Sequence, residues 1–364
     1  MKLHSKIASY FQSGIFVSML FLVSVALSPA ADKGKPQKII LTVDSFDSEY
    51  WSDVILGAKN VAESLGRDVT IIASDYDGQK LLSQFGALVS GGCDHCVVVT
   101  DPTSAAFLKP MVDRSANADA QIVTLWNRPE NLHPWDYHSE AWAMNTSFDG
   151  VKSGYENGKE LCKALNGKGN ITALEGIPDN PPAKQRLTGL RKALLEYPDV
   201  KLLDVQIGSW DQQKAYNITL TWLAKYAGQL NGVFSSNDAM ALGVLAALKE
   251  RGLAGKVFIT GSDGSLDVFK RIKDGEILST MFVDPQRQGA VAMAFAYGAA
   301  VGDIDTRKLA HAQRDFNLKE ILVNKENVDQ YIGQKTNPPR YTYQDLAKDF
   351  WMYSDGEIPV GANQ

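Results

Sequence analysis

Aromatic rings and fork-shaped polar side chains gather at a few points of this sequence, too far apart to form one local motif. Asp44, Ser48, Glu49, Tyr50 and Trp51 stand together, as do Trp126, Asn127 and Arg128. Residues 179–184, Trp210 with Asp211, Asn237 with Asp238, Asp263, and residues 284–287 follow. Indole and phenol faces pack on the C–H face of a small ring, while carboxylates, amides and guanidinium groups bind its hydroxyls. The combination suits a polyhydroxylated ligand such as a sugar. Each residue alone has a plainer use: Tyr50 or Trp51 would pack at a helix start, and Asp238 would cap a helix beginning at Ala239. Agreement at several separate points favours binding. Carboxylates in a cleft could instead act as acid and base in glycoside cleavage. Against that, the chain has no G-x-S-x-G, and its 5 histidines show no metal or triad spacing.

The elements that must hold these groups are legible from periodicity. Residues 39–43 are β-rich, and Val54, Ile55, Ala58, Val61, Ala62 and Leu65 follow at helical spacing before a second strand at 69–73. A helical face at Leu81, Leu82, Phe85, Leu88 and Val89 leads to a strand at 96–100, a helix at 107–112 and a strand at 122–125, where a first half closes. After a polar stretch at 145–150, a second series has strands at 171–174, 202–205, 233–235, 257–260 and 277–282. Helical faces lie between them, such as Leu187, Leu190 and Leu194, or Met240, Val244 and Leu248. Alternation of this kind predicts an α/β chain of two similar doubly wound parallel-sheet lobes. Ligands of such sheets bind beyond the carboxyl ends of the strands, where the polar and aromatic clusters stand.

Composition narrows the function classes. Lys2 and Lys6 precede an apolar run over 15–27 that ends in Ser28-Pro29-Ala30-Ala31, a pattern expected of a cleaved export signal over 1–31 and a periplasmic mature protein. The run is shorter than the ~20 residues of a membrane helix. A length of 364 residues implies roughly two domains. A net charge of −5 without any Lys/Arg block argues against nucleic acid as a partner. An export signal where a regulator would carry a helix-turn-helix argues against a transcription factor. Cys93-Asp94-His95-Cys96 either closes a small disulfide or lets Cys96 open a buried strand, and supplies too few ligands for a structural zinc. Cys162 reads as core. Neither a cofactor nor a metal is expected.

Several segments carry a family likeness: Glu49-Tyr50-Trp51 with Gly57-Ala58, residues 123–128, Ala183-Lys184-Gln185-Arg186 with Gly189, residues 236–243, Gly261-Ser262-Asp263-Gly264, and residues 284–289. Over about 37–324 the chain resembles the ribose- and galactose-binding family of periplasmic proteins. The resemblance implies three crossovers between lobes, near Asn145, Arg287 and Phe316. It divides the chain into a first lobe (37–145 with 287–316), a second lobe (146–286 with 317–335) and an extension (336–364). It implies stacking on Tyr50, Trp51 and Trp210, and polar contacts from Asn127, Arg128, Lys184, Asn237, Asp263 and Arg287. Lys184 and Arg287, standing where the family has an arginine and an amide, extend the expectation to acidic or phosphorylated sugars. The function so implied is that of a monomeric binding component that closes around a small sugar or polyol and is read by an inner-membrane ABC permease. Longer members with comparable tails include receptors for a furanosyl signal, so a quorum-sensing or chemotactic sensor is the alternative. The aromatic tail, with Tyr341, Tyr343, Phe350 and Trp351, argues against disorder and for a strap packed on a lobe.

Overall fold

The computed structural model describes residue 34, residues 36–93 and residues 95–358. The expected export segment lies outside them. In chain order the elements are β1 (Ile39–Val43), α1 (Glu49–Ser64), β2 (Thr70–Ala73), α2 (Gly78–Ser90), β3 (Val97–Thr100), α3 (Leu108–Asn117), β4 (Gln121–Leu125) and β5 (Trp142–Ser147). A second series follows: α4 (Gly150–Ala164), β6 (Lys168–Glu175), α5 (Pro181–Glu196), β7 (Asp199–Ile207), α6 (Gln212–Tyr226), β8 (Gly232–Ser235), α7 (Asp238–Glu250), β9 (Phe258–Asp263), α8 (Leu266–Lys273) and β10 (Ser279–Phe282). The chain ends with α9 (Pro285–Val301), α10 (His311–Arg314), β11 (Asp315–Asn317), β12 (Ile321–Asn324), α11 (Val328–Thr336) and α12 (Tyr343–Leu346).

Two six-stranded sheets result, in the orders β2-β1-β3-β4-β5-β11 and β7-β6-β8-β9-β10-β12. Every pairing is parallel except β10 with β12, which runs antiparallel. Strands such as β1, β3 and β4 are buried along their whole length, as expected where helices cover both faces. The chain leaves the first sheet after Ser147, returns after Phe282 and leaves again after Asn317. Residues 145–150 are therefore not all linker, because Trp142–Ser147 forms β5, a strand the sequence pattern did not reveal. Its Asn145 is satisfied internally: Asn145 Oδ1 accepts from Thr124 Oγ1 at 2.8 Å, and Asn145 Nδ2 donates to Asp315 Oδ1 at 3.0 Å.

The helix that carries the first aromatic cluster is fixed by close backbone approach. A Cβ on Gly57 would stand 1.8 Å from the Gln286 carbonyl oxygen, and one on Gly289 would stand 2.0 Å from that of Val54. Helices α1 and α9 can touch only with glycine at both places. After α11 the tail returns to the first lobe, where Tyr341, Tyr343, Leu346 and Phe350 are buried within the main core, so it is an integral part of that core.

Cys93 and Cys96 are joined in a disulfide, and Cys162 is a buried free thiol of α4. Alkylation of the unfolded, unreduced protein should therefore label one cysteine; mass spectrometry showing three labels would overturn the pairing.

Candidate functional site

The carboxyl ends of the two sheets face each other across a cleft. Non-glycine residues with positive φ crowd its rim: Tyr76 (61°), Thr103 (46°), Trp126 (45°), Trp210 (63°) and Asp263 (142°). Such conformations cost of order 1–3 kcal/mol each and persist where surrounding structure enforces them. Four of these five residues line the cleft, so the strain aims side chains into it.

The first lobe supplies an acidic wall. Asp44, one residue past β1, accepts from Ser74 Oγ and Thr103 Oγ1, both at 2.8 Å. Asp101, one residue past β3, accepts from Asn127 Nδ2 at 3.1 Å. Asp44 and Asp101 also contact each other. Burial pushes the Asp44 carboxyl up to about 6 despite the hydroxyl donors. Burial, with the neighbouring Asp44 charge, holds Asp101 well above the usual carboxylate range. Two enclosed carboxyls in contact are best satisfied when they share a proton. Around them stand Tyr50, Trp51, Tyr76 and Trp126, with Trp126 Nε1 donating to the Tyr50 hydroxyl at 2.5 Å.

The second lobe supplies the cation. Arg186, only 4% exposed, donates from Nη1 to the Ser236 carbonyl at 2.7 Å. Its guanidinium lies 5.2 Å from the Trp126 ring centroid and 5.9 Å from that of Trp210. Trp210 Nε1 donates to Asn180 Oδ1 at 2.9 Å, and the ring sits where a Cβ on Gly176 would stand 2.0 Å from it. Asn237 caps α7 by accepting from the Met240 N–H at 3.0 Å. The helix begins at Asp238 and not at Ala239. Asp238 instead accepts from the N–H groups of Gly264 and Ser265 at 3.0 and 2.7 Å and from Thr280 Oγ1 at 2.6 Å, which fixes the turn after Asp263. Asp263 is held well above the usual range by burial and then by the Asp238 charge, with Arg186 opposing.

The lobes are in contact. Asn180 Nδ2 donates to the Thr103 carbonyl at 2.6 Å, Glu49 Oε1 accepts from the Leu266 N–H at 2.7 Å, and Lys335 of α11 pairs with Glu49 of α1 at 2.8 Å. The cavity left between them has a volume of about 70 Å³ and is lined from both lobes.

Six expected site residues meet there: Tyr50, Trp51, Asn127, Trp210, Asn237 and Asp263. Three do not. Arg128 turns away, pairing through Nε with Asp315 at 2.8 Å and donating to the carbonyls of Pro129 and Glu130. Lys184 is exposed on α5, and Arg186 enters the cleft in its place. Helical geometry gives the reason: the buried face runs through Ala183, Arg186, Leu187 and Leu190, and Lys184 lies off it. Arg287 pairs with Asp284 and packs 4.7 Å over Tyr353 of the tail. With Lys184 and Arg287 outside, the expectation of an acidic or phosphorylated ligand loses both its cations. Tyr76, Asp101 and Arg186 are lining residues that the sequence did not single out as contacts. Asp101 was findable, since it follows β3 as Asp44 follows β1. Among the described residues no His/Cys/Asp/Glu group could hold a metal, and no helix is long and apolar enough to cross a membrane.

Two α/β lobes, each with the strand order 2-1-3-4-5 and an edge strand, sharing a cleft at their switch points, define the type I periplasmic binding protein fold. The periplasmic binding protein domain model matches residues 39–304, and the chain belongs to that family. It is 30% identical over 231 residues to a xylitol-binding protein of Mycolicibacterium smegmatis, covering 64% of this chain and 63% of that protein. It is 26% identical over 277 residues to the D-allose-binding periplasmic protein of Escherichia coli, covering 75% and 86%. Among solved structures, a twin-arginine translocation pathway signal protein from Burkholderia phytofirmans superposes with a TM-score of 0.84 at 31% identity, covering 90% of this chain and 100% of that one. A periplasmic solute-binding protein from Actinobacillus succinogenes with bound D-allose gives 0.72 at 26%, covering 82% and 100%.

Proposed function

We propose that this chain is the periplasmic substrate-binding component of an ABC-type importer, holding a small sugar or polyol between its lobes and catalysing nothing. The observation that carries the reading is the cleft itself: aromatic faces and hydrogen-bond acceptors from both lobes converge on it. Relatives named for xylitol and D-allose support it. Tyr50, Trp51, Asn127, Arg186, Trp210, Asn237 and Asp263 are the proposed contacts. Ligand that touches both lobes stabilises the closed form, and an inner-membrane permease would read that form.

A thermal-shift screen of pentoses, hexoses, alditols and inositols tests this. A ligand at 100 times its dissociation constant adds ~2.7 kcal/mol of stability. With the best ligand, Asp263→Asn should weaken binding roughly ten- to a hundredfold, the worth of ~1.5–3 kcal/mol for a charge-assisted bond. Trp51→Ala with Trp210→Ala should remove most of the ligand-induced fluorescence change. Wild-type affinity in Asp263→Asn, measured by titration calorimetry, would reject the site.

A further inference from the structure

The charges in the cleft do not balance, and the imbalance has a location. Asp44, Asp101 and Asp263 line it against the single cation Arg186. Arg186 attracts Asp263 but does not overcome the burial that holds its carboxyl well above the usual range. Lys335, the nearest other cation to Asp263, is engaged with Glu49 and Asp53 outside this space. The Asp44–Asp101 pair is left with hydroxyl and amide donors only. Beside it are polar atoms still without a partner. Asp101 is 2% exposed and Asn127 3%, yet no N–H or hydroxyl of the protein reaches Asp101 Oδ1 or Asn127 Oδ1. Buried acceptors of this kind are normally satisfied, so the groups that complete them belong to the ligand. An acceptor-only corner asks for a donor-only group. The rings of Trp51, Tyr76 and Trp126, which line the same cleft, offer π faces that favour a cation over a neutral group.

From this corner we infer that the ligand carries a primary ammonium group: it is an amino sugar, an aminodeoxy alditol or an aminocyclitol, with its nitrogen seated against Asp44, Asp101 and Asn127. The inference rests on the proposed function and narrows it. An ammonium offers three donors and no acceptor, matching the unpartnered oxygens. Its single positive charge offsets the one negative charge left on a carboxyl pair sharing a proton. A neutral hydroxyl can fill the same position but leaves that charge buried and uncompensated, which is unfavourable in an enclosed site.

The test is titration calorimetry with matched pairs, each amine against its hydroxyl parent: D-glucosamine and D-glucose, D-galactosamine and D-galactose, 1-amino-1-deoxy-D-sorbitol and D-sorbitol, and an aminodeoxy-inositol and its inositol. In the best-bound pair the amine should bind at least ~30-fold more tightly, as expected of a charge-assisted bond. That ratio should fall below about threefold in Asp101→Asn and in Asp44→Asn, with circular dichroism establishing that each variant is folded. Should either fail to fold, the other and the wild-type ratio still decide. A hydroxyl parent that binds as tightly as its amine would overturn the inference and leave the import reading standing. An amine preference that survives both substitutions would overturn the placement at Asp44 and Asp101. Absence of binding by every compound at millimolar concentration would overturn the proposed function and the inference with it.

Discussion

Replacing Arg186 with methionine should weaken ligand binding by a hundredfold or more and destabilise the protein by about 1–3 kcal/mol, the usual cost of leaving a buried carbonyl without its donor. The side chain is enclosed, its Nη1 satisfies the Ser236 carbonyl, and its guanidinium lies near both Trp126 and Trp210. Its loss would leave Asp263 facing Asp238 with no compensating cation in the cleft. Arg186→Lys should recover part of the stability but not the affinity, since an ammonium cannot reproduce a planar fork under two rings. Lys184→Met is the control, expected to stay within about 0.5 kcal/mol because the residue is exposed on α5. Urea unfolding with titration calorimetry on the three variants would decide. Unaltered binding in Arg186→Met, or a larger loss in Lys184→Met, would return the site to the arrangement the sequence suggested.

Stability of the ligand-free protein should fall as the pH rises from about 4 to about 7. Burial pushes Asp44 from 3.8 up to about 6 and Glu320, which follows β11 where the chain passes between lobes, from 4.5 up to about 7. Within that window the folded chain keeps protons that the unfolded chain has released. The stability is therefore fully present below about pH 4 and is lost as the pH passes through the two folded values. At 1.36 kcal/mol per unit the two groups together are worth on the order of 6 kcal/mol. Asp305, lowered to about 2 by Arg307, acts in the opposite direction but only below pH 4, and it is a surface group screened by solvent. Urea unfolding at pH 4.5 and 7.5 should show the fall, and Asp44→Asn with Glu320→Gln should flatten it. A profile that rises over this range would contradict the assignment.

The fold was legible because burial on both sheet faces leaves long apolar runs. Residues 39–43, 96–100 and 122–125 are read at sight, and the observed β1, β3 and β4 agree with them to within one residue at each end. β5 was not, because Asn145 and Thr146 look like linker residues until Thr124 and Asp315 are seen to satisfy Asn145. The site was legible where a residue ends a strand or stands within two residues of its end, as with Asn127, Asn237 and Asp263. It failed where direction depends on a helix or a distant partner. Lys184 and Arg186 are two residues apart on α5 and point to different sides, while Arg128 and Arg287 were drawn out of the cleft by Asp315 and Asp284, whose positions no local pattern reveals.

The return of the tail to the first lobe bears on how closure could be observed. Pro36 accepts from Arg67 of that lobe, and Ile358, the last described residue, packs against the same core. Both ends of the described chain are therefore carried by one rigid half. A pair of fluorescent reporters fused to the two ends would ride together and register little of any hinge rotation. A responsive optical sensor needs one reporter inside the second lobe, for instance at the exposed turn of Gly252 and Lys256 between α7 and β9, and the other at either end.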